Sequence, residues 1–365
     1  MSDAIKTLPL LFAALLAGCA TNPRWNKQKP PDWEANPPAP QKPAATAPVP
    51  QPAPTAMALK PLGQPTWMPL DVWSREHSCT PQQLSAQPRL AYAVTTSNGV
   101  LVVEIGSRTA YWNGVEVLLG FAPALDRGRV YLHRLDILKN LEPLAATLPE
   151  LNPTNGLIVI DPGHGGGNTG TRSVLDGRFE KEFTLDLALR LAPLLERNGW
   201  RVLLTRTNDV DLPLLDRVVL AEAHKADLFI SLHFNSGAPN EDPAGVETFC
   251  LTPTGMPSNL VREYPDDLSE MYPNNAFDAQ NLQLALRLHR ALLDVNGHID
   301  RGIGRARFLG VLRGQRRPAV LLEAGFLSNP ADARRIHDPA YRQKMAEAIA
   351  GALGVGTAAE QPTAE

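Results

Sequence analysis

Cysteine is scarce, at three in 365 residues. Cys19 stands apart near the N-terminus. Cys79 and Cys250 alone give no spacing from which a disulfide can be read, and none is assigned. Cys250 lies in the strand-like run 246–251, where a buried free thiol is expected. Charge of either sign is not in excess either. Thirty-five Lys and Arg face 38 Asp and Glu, so no basic surface for nucleic acid is implied. The N-terminal apolar run, Leu8 to Ala17, is too short to cross a bilayer as a stable helix. What is present is an apolar content of 44%, ordinary for a globular protein. The length has room for one large domain, or a large and a small one with tails.

The composition is uneven along the chain. Lys6 precedes the run 8–17, and Leu16-Ala17-Gly18-Cys19 closes it, so residues 1–18 read as an export signal. This ending resembles a bacterial lipoprotein signal. That implies cleavage before Cys19 and acylation of its thiol, giving a membrane anchor through lipid alone. The alternative is a plain secretory peptide with a chance cysteine. Ala20, not Asp, follows the cysteine, and by the sorting habit of such lipoproteins this implies a periplasmic protein anchored to the outer membrane. Residues 19–77 form a Pro/Ala-rich disordered tether: fourteen of the 34 prolines fall between Thr21 and Leu70. Such a composition favours extended polyproline II. About 55 residues at ~3.1 Å each would reach on the order of 170 Å, enough to carry a domain from a membrane into a cell wall.

Residues 78–150 read as a small β-rich accessory module. A strand is expected near 101–105, a hairpin over 111–117 with Asn113-Gly114 as its turn, a strand at 129–132 and a helix from 135 to about 141. Trp112-Asn113-Gly114, Gly120-Phe121-Ala122-Pro123 and Gly128-Arg129-Val130-Tyr131 together resemble the copper amine oxidase N-terminal-like module of exported bacterial proteins. No copper is implied, because His133 stands alone.

Residues 156–354 alternate between two kinds of segment. Strand-like runs fall at 157–161, 201–205, 227–232, 246–251 and 319–323. Helical spacing covers 183–197, closed by Asn198-Gly199, and 214–225, 279–293 and 341–353. This predicts an α/β domain with a mostly parallel twisted sheet flanked by helices, then a disordered tail at 355–365. Three buried-looking runs close on a polar residue. His164 follows Ile160-Asp161-Pro162-Gly163, His233 follows Ile230-Ser231-Leu232, and Glu323 follows Val320-Leu321-Leu322. Glu180 precedes Lys181. The carboxyl ends of strands converge on one crevice in such sheets. Two imidazoles and a carboxylate, with a carboxylate to spare, are what a catalytic zinc site requires, so a metallohydrolase is predicted. Taken singly, each histidine could be merely packed and Glu180 could be a helix N-terminal acid. Glu323 is harder to explain blandly, since a buried carboxylate needs a partner. A rival reading takes Gly165-Gly166-Gly167-Asn168-Thr169-Gly170 as a dinucleotide loop. It is weakened because no helix begins there before Phe179.

These motifs carry a family resemblance. The segment 157–353 is similar to the zinc-dependent N-acetylmuramoyl-L-alanine amidases of bacterial cell walls. The similarity runs through Ile160-Asp161-Pro162-Gly163-His164-Gly165-Gly166, Glu180-Lys181, Val202-Leu203-Leu204-Thr205-Arg206 with Asp209, Ile230-Ser231-Leu232-His233, Gly245-Val246-Glu247-Thr248, Arg301-Gly302-Ile303 and Val320-Leu321-Leu322-Glu323-Ala324-Gly325-Phe326. The resemblance implies that His164, Glu180 and His233 bind Zn2+ and that Glu323 is the catalytic carboxylate. Asn235 is placed on the rim as a substrate contact. The substrate implied is the amide between N-acetylmuramic acid and L-alanine in peptidoglycan. Alternatives are an inactive or regulatory peptidoglycan-binding lipoprotein, or a zinc peptidase cutting another wall amide. Control by an unidentified activator protein is among the expected partnerships. Two departures from the family pattern, Ala324 and Asn168-Thr169, are expected to touch no ligand. The long polar segment 252–277 is expected to flank the groove and select stem peptides.

Overall fold

The computed structural model describes residues 66–86, 89–148, 151, 153–261, 265–296 and 299–356. The expectations for the export signal, Cys19, the tether up to residue 65 and the tail from residue 357 lie outside the described residues. The described residues belong to one compact unit, Pro50–Glu365. None of their helices is long and apolar enough to cross a membrane.

The N-terminal part is β-rich, as its turn chemistry predicts. Strands β1 (Trp67–Pro69), β8 (Arg129–His133) and β7 (Ala124–Asp126) form a three-stranded antiparallel sheet. Strands β2 (Gln82–Ser85), β3 (Ala91–Thr95), β4 (Val100–Glu104), β5 (Thr109–Trp112) and β6 (Val115–Leu118) form an antiparallel meander. Asn113 and Gly114 join β5 to β6 with φ of 51° and 82°, the positive-φ pair of a tight hairpin. His133 stacks on Phe121, with Trp67 at its edge. It is a packed side chain.

The C-terminal part contributes β9 (Leu157–Pro162), β10 (Arg201–Leu204), β11 (Leu228–Asn235), β12 (Val246–Cys250), β13 (Asp300–Arg305) and β14 (Ala319–Phe326). The central strands read as continuous apolar runs because both of their faces are covered. Ile158, Ile160, Ile230, Leu232, Val320 and Leu322 enter a large core. Leu187, Leu191, Leu288, Leu292, Met345 and Ile349 of the helices Glu180–Arg197, Asp278–Asn296 and Pro339–Leu353 join them. The alternate residues Leu157, Val159, Phe229, Ala319 and Leu321 enter a smaller core with Ala221 of the helix Leu214–Ala223, and with Val311 and Leu312. At roughly 1.5–3 kcal/mol per large apolar side chain, these two layers hold the strand ends that carry the polar residues. Gly199, at φ 85°, ends the long helix where Asn198-Gly199 predicted.

The sheet is mixed, not mostly parallel. Its order is β10-β9-β11-β14-β12-β13-β6-β5-β4-β3-β2, and five of its ten pairings are antiparallel. Two causes account for this. Between β11 and β12 lie only residues 236–245, which hold no helix. A parallel return takes a crossover of a dozen or more residues, so β12 runs back antiparallel to β14. The N-terminal meander also continues the same sheet, through Ile303 of β13 beside Val117 of β6.

Candidate active site

The crevice forms where β9, β11 and β14 end together. Beyond β9 the chain turns sharply, and His164 takes φ 63°, followed by Gly165 and Gly166 at φ 131° and 54°. Gly163 is required by close packing: a Cβ there would lie 2.3 Å from the His233 ring. Two buried guanidinium groups clamp this turn. Arg206 donates to the carbonyl oxygens of Pro162, Gly163 and Lys181. Arg217 donates to those of Pro162 and His164. Arg217 also pairs with fully buried Asp161 at 2.6 Å, and Thr205 and Ser231 complete that carboxylate at 2.6 and 2.7 Å. Burial works to raise the Asp161 pKa, but Arg217 and the two hydroxyls outweigh it and hold the carboxyl below its usual range.

His164, Glu180 and His233 come together as the sequence predicted. One ligand atom of each lies within 4.8 Å of the other two, and among the described residues no other group of His, Cys, Asp or Glu gathers in this way. His164 Nε2 is 3.0 Å from Glu180 Oε2, and His233 Nδ1 is 2.9 Å from Glu180 Oε1. Glu180 opens its helix, and the N–H groups of Thr171 and Phe234 donate to its two oxygens. Burial opposes its ionisation, but the two imidazoles override burial and hold Glu180 far below the ordinary carboxylate range. Glu180 is therefore an anion here.

Glu323 stands level with His233 across the β11·β14 pairing and level with Glu247 across β14·β12. Its Oε2 is buried and has no hydrogen-bond partner among the described residues. Burial, with the Glu180 and Glu247 carboxylates adding to it, pushes the Glu323 carboxyl well above the usual range. A buried polar atom without a partner is costly, and such an atom beside a ligand cluster marks a working group.

Two expectations, for Asn168 and for the segment 252–277, are corrected by the geometry. Asn168 does touch a ligand residue: its Oδ1 lies 2.8 Å from His164 Nδ1. An amide oxygen only accepts, so Nδ1 carries a hydrogen, and Nε2 is the nitrogen that faces Glu180. Asn235 is half-buried at the end of β11, beside the site. Its Nδ2 donates to Glu247 and its Oδ1 accepts from the Ser236 N–H. The segment 252–277 does not flank the crevice. Because β12 runs antiparallel to β14, it delivers that segment to the opposite end of the sheet, where Asn274 binds the Arg317 carbonyl just before β14 begins. Four residues of strand, about 13 Å, separate that level from Glu323.

Sequence reasoning gave no role to Asp161, Arg217, Glu247 or Arg301. Arg301 Nε donates to Glu247 Oε1 at 2.7 Å, and the guanidinium lies 4.9 Å from the Phe326 ring centre. Arg217 is one of the largest fully buried side chains. The only signal of it in the sequence is an arginine placed directly before the apolar run Val218-Val219-Leu220-Ala221.

Residues 158–354 match the family model Amidase_3, described as N-acetylmuramoyl-L-alanine amidase. The N-acetylmuramoyl-L-alanine amidase AmiA of Salmonella typhimurium is 34% identical over 218 residues, covering 54% of this chain and 74% of that protein. AmiA of Escherichia coli is 33% identical over 215 residues, covering 53% and 73%. Among solved structures, the N-acetylmuramoyl-L-alanine amidase AmiC2 of Nostoc punctiforme is 32% identical and covers 54% of this chain and 94% of its own, with a TM-score of 0.44.

Proposed function

Since this chain belongs to the N-acetylmuramoyl-L-alanine amidase family and is a peptidoglycan amidase, we propose that Glu323 is its catalytic base and acid, beside a zinc ion held by His164, Glu180 and His233. The observation that carries this reading is the pairing of a three-residue ligand cluster with the partnerless Glu323 oxygen next to it. Two imidazoles and one anionic carboxylate are the donor set of a catalytic zinc site with an open position. When bound, zinc supplies Lewis acidity toward the amide carbonyl and toward water.

The remaining chemistry belongs to the chain. Glu323 takes a proton from water as the water oxygen bonds to the lactyl carbonyl carbon. It then returns the proton to the L-alanine nitrogen as the C–N bond breaks. A buried carboxyl near other carboxylates is basic enough for this work. Asn168 holds the His164 ring in the tautomer that offers Nε2. Arg206 and Arg217 keep the loop that carries His164 in place.

The domain boundaries 1–18, 78–150, 156–354 and 355–365 complete the proposal, with acylation at Cys19 anchoring the protein to the outer membrane from the periplasm. The tether expected over 19–77 ends before Trp67, because Trp67–Pro69 pairs with β8 and the helix Leu70–Glu76 buries Leu70 and Trp73 in the core. A solved amidase of Clostridioides difficile, CwlD, is described in complex with the GerS lipoprotein. An activator protein is proposed here by analogy. Digestion of purified muropeptides, with and without chelator, tests the core of the reading. Free N-acetylmuramic acid ends and L-alanine-starting peptides, lost on chelation, are the expected products. Peptides cut internally would overturn it.

A further inference from the structure

Glu323, Glu247 and Arg301 form a row across three neighbouring strands at the mouth of the site. Glu247 is level with Glu323 across β12·β14, and Arg301 follows Asp300, which is level with Val246 across β12·β13. Strands lie about 4.8 Å apart, so Arg301 starts roughly two spacings from Glu323. Its side chain reaches back over that distance. Nε is fixed by Glu247 Oε1 at 2.7 Å, and the guanidinium lies against Phe326, on the same strand as Glu323. Arg301 keeps 35% of its side chain exposed, whereas Glu247 keeps 15%. Neither Nη forms a hydrogen bond among the described residues.

One edge of a planar fork is thus anchored, and the other is presented at the site. A fork in this state suits a planar oxyanion, which it binds through two parallel hydrogen bonds. Anchoring by Glu247 and Phe326 also lowers the entropy lost when that bond forms. In the amide that is hydrolysed with Glu323 as base and acid, the nitrogen belongs to the first residue of the stem peptide. A carboxylate on the second residue lies about 7 Å further along an extended chain. Two strand spacings, roughly 10 Å, separate the backbones of Arg301 and Glu323, and the Arg301 side chain folds back toward β14, a separation of the same order as that span.

Resting on the amidase reading above, we propose that Arg301 is a specificity-determining residue that binds a free carboxylate on the second residue of the stem peptide. The reaction is unchanged, and Arg301 selects which stems enter. Stems in which that carboxylate is amidated lose one charge-assisted partner and are poorer substrates.

The test uses the full chain with its metal and two soluble muramoyl peptides that differ only in a carboxylate or a carboxamide at the second stem residue. Wild-type protein should favour the carboxylate peptide about tenfold or more in kcat/KM, chiefly through KM. Arg301→Gln should bring that ratio close to one, and Arg301→Lys should leave an intermediate ratio. A wild-type ratio near one would overturn the proposal. So would an Arg301→Gln variant that is slower on both peptides with its ratio intact, the pattern of a merely structural arginine. Failure of the amidase reading itself looks different, because wild-type protein would then cleave neither peptide.

Discussion

At the scale of single residues, the roles divide between holding a cation and moving a proton, and substitutions separate them. Glu323→Gln keeps the three ligands and removes the base. Zinc content should remain near one per chain while hydrolysis falls by about 10²–10⁴-fold. His164→Ala should lose both, and full metal content in that variant, measured by elemental analysis, would contradict the ligand assignment. Asn168→Ala removes only the partner of His164 Nδ1. Zinc affinity measured by competition with a chromophoric chelator should drop about 10–100-fold. Cys250 is a contrasting case. Burial pushes its thiol up to about 11, so at neutral pH it is an inert packing group. It should resist alkylation in the folded protein, while Cys79, which is only partly buried, reacts first.

At the scale of elements, the crevice depends on a fully buried ion pair. Arg217 spans from the helix Leu214–Ala223 to Asp161 in β9 and to the turn that carries His164. Arg217→Met would leave the Asp161 carboxylate buried without its charge partner, at a cost of about 3–5 kcal/mol in urea unfolding. Arg217→Met with Asp161→Asn should cost less. The pH dependence follows from the sign of the shift. Asp161 is held below its unfolded value, ~3.9, so its contribution is complete above that pH. It is lost as pH falls through the lower folded pKa, because the unfolded chain then binds the extra proton. Acid titration of the unfolding free energy should therefore show a steeper fall in wild type than in the double variant.

How much of this could be read in the sequence follows from how local each signal is. β9, β11 and β14 announce themselves because burial on both faces leaves unbroken apolar runs, and the residue that ends each run is the one exposed to the crevice. Strand direction leaves no such mark. Val246–Cys250 looks like any buried strand, and only the helix-free connection at 236–245 betrays its reversal. β13 was missed altogether, since Asp-Arg-Gly-Ile-Gly-Arg has neither alternation nor an apolar run. It is a strand because Phe249 packs against the bare face of Gly304 and because its neighbours supply the hydrogen bonds. Asn168 and Arg217 were illegible for a related reason. Their partners are set by a turn and a helix crossing that exist only after folding.

At the scale of the whole molecule, the N-terminal strands and the amidase strands share one sheet, and their seam is polar as well as β-paired. Asp300 Oδ2 accepts the Glu116 N–H at 2.8 Å, while its Oδ1 meets His289, a fully buried side chain. Arg108 donates to the carbonyl oxygens of Pro257 and Ser258, so the segment 252–277 fastens the N-terminal part. Shortening that segment should lower the melting temperature and leave relative rates on different stem peptides as in wild type. Muropeptide competition assays beside calorimetry would detect the opposite outcome.

The guanidinium of Arg305 draws the sharper consequence. It is 1% exposed, and two of its acceptors, the Lys139 carbonyl and Asn140 Oδ1, belong to the N-terminal part. Grafting the amidase half onto another protein would strand that cation and leave β13 with an open border. A transplantable version would need a neutral residue at position 305 and a new cover along Asp300–Arg305.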